Sequence, residues 1–138
     1  MALRSLIAEI EAAEPSDTIW QAAIDLSDSI ESQFADVFEI TLQAISQARH
    51  SDTFAALSTC LLEHLLEHDF SAFDTIEAKI RGGDEKVLYA LAGCWKFGAA
   101  EAPVNAARWN ALLTEYETQL LSYGGRLRLQ EEGTDRTP

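Results

Sequence analysis

Apolar residues recur at three- and four-residue spacing along almost the whole chain, and strand-like alternation is nearly absent. That period gives each segment one apolar stripe, so the pattern commits the chain to amphipathic helices rather than to sheets. Only three prolines and seven glycines interrupt it, and most fall where a helix should start or stop.

Leu3, Leu6, Ile7 and Ile10 form a first stripe, ended by Pro15. Ser16 or Asp17 is placed to cap a second helix carrying Trp20, Ala23, Ile24, Ser27 and Ile30, and Phe34, Val37, Phe38, Leu42 and Ile45 mark a third. One rod through residue 48 would run for about 30 residues, well beyond the usual helix, so a break is expected near Ser32 to Ala35. Ser51 or Asp52 should cap a fourth helix with Phe54, Leu57, Leu61, Leu62, Leu65 and Leu66. Ser71 followed by Asp74 reads as a capping box with Asp in place of Glu, opening a short fifth helix through Phe73, Ile76 and Ile80 that Gly82-Gly83 ends. Asp84 is expected to cap a sixth with Val87, Leu88, Leu91 and Trp95. Gly98 and Pro103 bracket a loop, and Pro103 suits the first turn of a seventh, with Trp109, Leu112, Leu113, Tyr116 and Leu120 before Gly124-Gly125. The expected fold is all-α: a compact bundle of six or seven short helices, or a short stack of helical hairpins. Residues 1–125 should form one domain and 126–138 a polar, disordered tail.

A chain of 138 residues with 47% hydrophobic composition can build its own core. Cys60 and Cys94 are too few for a disulfide framework and lack metal-ligand spacing, so both are expected as buried free thiols. No apolar run approaches the roughly 20 residues of a membrane span, and Glu9 interrupts the N-terminus where a signal peptide stays uncharged. A cytoplasmic location is expected.

The net charge is −13, from 23 acids against 10 bases. Nucleic acid and anionic membranes recruit clustered Lys and Arg, so both are disfavoured as partners, whereas a basic protein is favoured. The acids are concentrated: nine precede residue 41, and no Lys or Arg occurs between Ser5 and Ala48. Within the series that begins at Asp17, the expected partner-binding set is Asp25, Asp28, Glu31, Asp36 and Glu39. A merely solvated helix face is the plainer alternative.

A second candidate contact is Glu63, His64, Glu67 and His68. His64 and His68 stand four apart and share a helix face, a spacing that can hold a divalent metal. The zinc-protease order His-Glu-x-x-His is not met, because the stretch reads His-Leu-Leu-Glu-His. An ordinary solvated face, with the histidines at the margin of the leucine stripe, accounts for it, so no metal is expected. Trp20, Trp95 and Trp109 fall at stripe positions and are expected in the core. Gly93 falls within the sixth helix, where it costs about 1 kcal/mol against Ala unless another helix approaches closely, for instance under Trp95. No phosphate loop, serine elbow, Cys-x-x-Cys pair or dinucleotide fingerprint is present, and Cys94 has no nucleophile motif around it. Neither a catalytic residue nor a cofactor is expected.

From Val37 to Trp95 the chain resembles an uncharacterised family of small bacterial helical domains, through Leu57, Leu62-Glu63-x-Leu65-Leu66, Ile76-Glu77 and Leu91-x-Gly93-x-Trp95. That resemblance implies an all-helical fold and brings no activity. In size, charge and fold class the chain is similar to the immunity proteins that neutralise bacterial toxins by occluding a basic surface, often that of a nuclease. That likeness implies an acidic inhibitor of a basic toxin; a scaffold that self-associates through an apolar helix face is the alternative.

Overall fold

The computed structural model describes residues 17–48 and 51–122, and every regular element among them is helical. The first stripe, Pro15, the side chain of Trp20, Gly124-Gly125 and the tail 126–138 lie outside the described residues. Seven α-helices follow in order, and residues 117–122 are helical again after a turn at Tyr116. Helix α1 is Asp17–Ser27 and α2 is Phe34–Gln47. Helix α3, Ser51–Ala56, runs through a π-helical stretch, Leu57–Leu62, directly into α4, Glu63–His68. A 3-10 turn, Phe70–Ala72, leads into α5, Phe73–Arg81, and then α6, Glu85–Ala92. A second 3-10 turn, Gly98–Glu101, precedes α7, Pro103–Glu115.

The break between the second and third expected helices exists and overlaps the expected Ser32 to Ala35, but it begins four residues earlier. Turns occupy residues 28–33, and Phe34 is already helical. Ser27 Oγ donates to the Ile24 carbonyl at 2.6 Å as α1 ends, and Ile30, 6% exposed, ties the turn to the core. The inner face of α1 includes Ala23 and Leu26, which leaves Ile24 exposed. On α2 the buried residues are Val37, Ile40, Thr41, Leu42, Ala44 and Ile45, and Phe34 and Phe38 are half-buried.

One apolar core draws on every helix, from Ala23 in α1 to Trp109 and Leu112 in α7. Its centre is the α3–α4 rod, where Leu57, Leu61, Leu62, Leu65 and Leu66 are fully buried. Burying each such leucine contributes about 1.5–3 kcal/mol. An uninterrupted α-helix turns 100° per residue, so its stripe is too narrow for both leucine pairs and Glu63. The π stretch resolves this. The Glu63 N–H reaches back five residues to the Ser58 carbonyl, and the extra residue in the turn rotates all that follows by about 100°. Leu66 and Glu63 thereby come onto the buried side, and His64, Glu67 and His68 face solvent.

Several terminators match their sequence signals. Asp84 Oδ1 accepts from the Val87 N–H at 3.1 Å and caps α6. After α5, Gly83 takes φ +102°, its N–H bonds the Ile80 carbonyl, and the Asp84 N–H bonds that of Lys79, which completes a Schellman ending. Pro103 is the first residue of α7. The capping box at Ser71 and Asp74 does not form: Asp69 accepts from the Ser71 N–H at 3.0 Å and opens the 3-10 turn, and α5 has no side-chain cap of its own. Ser51 and Asp52 are already helical in α3, and the residues before them lie outside the described ones.

Polar links close the far side of the bundle. Glu77 of α5 accepts from Arg81 at 2.9 Å and from Arg108 of α7 at 2.6 Å, while Arg81 also pairs with Glu115 at 2.8 Å. Lys86 Nζ donates to the Ala48 carbonyl at the end of α2, at 2.7 Å, where a cation suits the negative end of the helix. Among the described residues no helix is long and apolar enough to cross a membrane.

Candidate acidic cleft

The turn between α1 and α2 lies across the solvent face of α4, and an open cleft of about 520 Å³ separates them. Ser27, Asp28, Ile30 and Glu31 line one wall, His64, Glu67 and His68 the other, and Gly98 closes one part of the rim. Two groups of residues singled out separately in the sequence therefore meet. Successive turn hydrogen bonds, Asp28 N–H to Asp25 carbonyl at 3.2 Å and Ser29 N–H to Leu26 carbonyl at 3.0 Å, hold the first wall while leaving both carboxyl groups exposed.

On the second wall, His64 Nδ1 lies 3.0 Å from Glu67 Oε1, and both side chains are about half exposed. The His68 ring packs against Phe34 with centroids 5.6 Å apart. Three carboxyl groups, Asp28, Glu31 and Glu67, thus line a cleft that has no Lys or Arg among its lining residues. Among the described residues, four bases elsewhere are engaged: Arg81 and Arg108 by acids, Lys86 by carbonyls, and Lys96 over the Trp109 ring at 5.1 Å. An arrangement of this kind accepts hydrogen bonds and ion pairs from a cationic group. Among the described residues no group of three or more His, Cys, Asp or Glu side chains is placed to hold a metal.

The remaining expected contacts do not converge there. Asp25 accepts from Gln21 Nε2 at 2.9 Å on α1, and Asp36 occupies the first turn of α2. Glu39 lines a different cleft of about 430 Å³, with Phe38, Leu42 and Lys79. Glu63 does not share the solvent face of His64, Glu67 and His68. It is 7% exposed, because the π stretch turns it inward, and its Oε1 accepts from the Trp95 N–H at 3.2 Å.

Two aromatic expectations divide. Trp109 is 1% exposed and packs near Phe70 and Phe73 in the core. Trp95 is 73% exposed, because α6 stops at Ala92 and Gly93 is its exposed C-cap rather than an interior residue under a neighbouring helix. Beyond it, Gly98 takes φ +51°, and a Cβ there would stand 2.9 Å from the Glu67 carbonyl oxygen. The loop through Trp95 and Gly98 is the part of the site that helical periodicity missed; a glycine between Phe97 and the Ala-rich turn was its one sequence signal.

Cys60 and Cys94 are free and only partly exposed. The single S–H of Cys94 has two carbonyl acceptors within reach, Ser58 at 3.4 Å and Ala90 at 3.3 Å. Burial pushes both thiols above their ordinary value, Cys94 the further, which keeps them protonated and poorly nucleophilic at neutral pH. No protein-family model, no curated protein and no solved structure matches this chain.

Proposed function

We propose that this chain is an acidic, non-enzymatic binding protein of the immunity type, which acts in the bacterial cytoplasm by covering the basic surface around a toxin's active site, a nuclease being one such target. The observation that carries the reading is the meeting of Asp28 and Glu31 with Glu67 on one open cleft that no Lys or Arg lines. The net charge of −13 extends the same preference over the molecule and would speed encounter with a basic surface. Likeness to immunity proteins in size, charge and helical architecture supports the reading by analogy.

The test begins with the full chain immobilised and exposed to native host lysate at low salt. The captured partner should be a basic protein whose activity falls as one equivalent of this chain is added. Its association rate should drop about tenfold or more between roughly 50 and 500 mM salt. A complex insensitive to salt, or a partner without a basic surface, overturns the reading. Exposed Trp95, Val104 and Leu121 favour a second reading, a self-associating scaffold. Sedimentation separates the two, since a strict monomer at all concentrations removes the scaffold.

A further inference from the structure

The loop after α6 carries two exposed aromatic residues just before Gly98, the residue that brings this loop to the rim of the acidic cleft. Trp95 is 73% exposed and Phe97 40%. This loop is anchored rather than loose. The Trp95 N–H is held by Glu63 Oε1 at 3.2 Å, and Gly98 packs so closely on Glu67 that no side chain would fit there. Glu63 and Glu67 are one turn of α4 apart, about 6 Å along its axis. The loop therefore runs alongside α4, with Trp95 at its Glu63 end and Gly98 at its Glu67 end, where Gly98 and Glu67 both line the cleft. Lys96, the loop's own cation, is occupied over the Trp109 ring.

We propose that Trp95, flanked by Phe97, is the aromatic anchor of this cleft, and that the partner segment it takes carries arginine. This rests on the reading of the cleft as a site for a basic protein, and adds how that protein is gripped. A guanidinium stacks on an indole face while its N–H groups, arranged as a planar fork, reach carboxyl oxygens beside it. Lysine offers a point charge, without the flat face or the fork. Tryptophan is among the residue types that most often carry binding energy at protein interfaces. A second copy of the chain is the poorer occupant, because each copy carries −13. Glu63 is a positioning residue that fixes the loop without touching the partner.

The test uses the isotope-labelled full chain titrated with nona-arginine and nona-lysine peptides. Arginine should bind more tightly and should move the Trp95 indole N–H signal. Trp95→Ala should weaken arginine binding roughly fivefold to tenfold with an unchanged circular dichroism spectrum, while Trp95→Phe keeps most of it. If Trp95→Ala binds as the wild type does and Asp28→Lys/Glu31→Lys does not, the acids act alone; the anchor is overturned and the basic-partner reading stands. If the wild-type chain binds neither peptide, both fall. A concentration-dependent dimer that Trp95→Ala dissolves overturns the anchor in favour of self-association.

Discussion

The Trp95 N–H and the Glu63 carboxyl oxygen lie 3.2 Å apart across 32 residues of sequence, and Glu63 is 7% exposed. A buried carboxyl is thus spent on a loop backbone. Removing it leaves the Trp95 donor unpaired, whereas an amide in its place keeps the acceptor without burying a charge. Glu63→Ala should cost about 1–2 kcal/mol, and Glu63→Gln should match or exceed the wild type. Urea unfolding gives the comparison, and amide exchange at Trp95 should quicken only in the alanine variant. An alanine variant as stable and as protected as wild type would refute this role.

Gly98 and Gly93 make an internal contrast. At Gly98, φ +51° and the Glu67 carbonyl both exclude a side chain, so Gly98→Ala should lose about 1–3 kcal/mol. At Gly93 the backbone is in an ordinary region and a Cβ would meet the Ala90 carbonyl only at 3.6 Å. Gly93→Ala should be neutral or stabilising by up to about 1 kcal/mol. Thermal melts of the pair check the prediction, and equal losses at both positions would contradict it.

That contrast also shows what the sequence made legible. Asp84, Gly82-Gly83 and Pro103 act on backbone groups within a few residues, so their types and spacing sufficed to place them. Glu63 and Leu66 depended on a π turn that shifts the helical phase partway along an otherwise regular leucine stripe. A fixed 3.6-residue period therefore carried Glu63 to the solvent face. Trp95 continued the phase of Val87, Leu88 and Leu91, but the helix had already stopped at Ala92. The cleft itself depended on the turn at residues 28–33 meeting α4 some 35 positions later, a long-range contact that no local pattern encodes.

Arg108 first, and then Arg81, hold the Glu77 carboxyl below the usual carboxylate range. A lowered folded-state value means that the stabilisation is fully present above the unfolded value, about 4.3, and is lost as pH falls through the folded one. Glu77→Gln should therefore be less stable than wild type by about 1 kcal/mol at pH 7. The gap should begin to close below about pH 4.5 and vanish once Glu77 itself is protonated. Stability curves of the two proteins from pH 7 to pH 2 test this; a gap that does not narrow in acid would show that Glu77 acts through packing.

The five N-terminal acids are equivalent by charge but not by position, and this sets the last prediction. Asp28 and Glu31 share the cleft with Glu67, whereas Glu39 lines another depression and Asp25 is engaged by Gln21 on α1. Reversing any two acids changes the net charge equally and should slow encounter with a basic protein by a similar factor, since long-range steering responds to the overall field. Dissociation responds to contacts instead. Asp28→Lys/Glu31→Lys should accelerate dissociation of the captured partner by about tenfold or more, and Asp25→Lys/Asp36→Lys should change it by less than about threefold. Surface-immobilised kinetics at several salt concentrations separate the two rates. Equal dissociation from both double variants would mean that the acids act only as a diffuse field and that the cleft is not the contact.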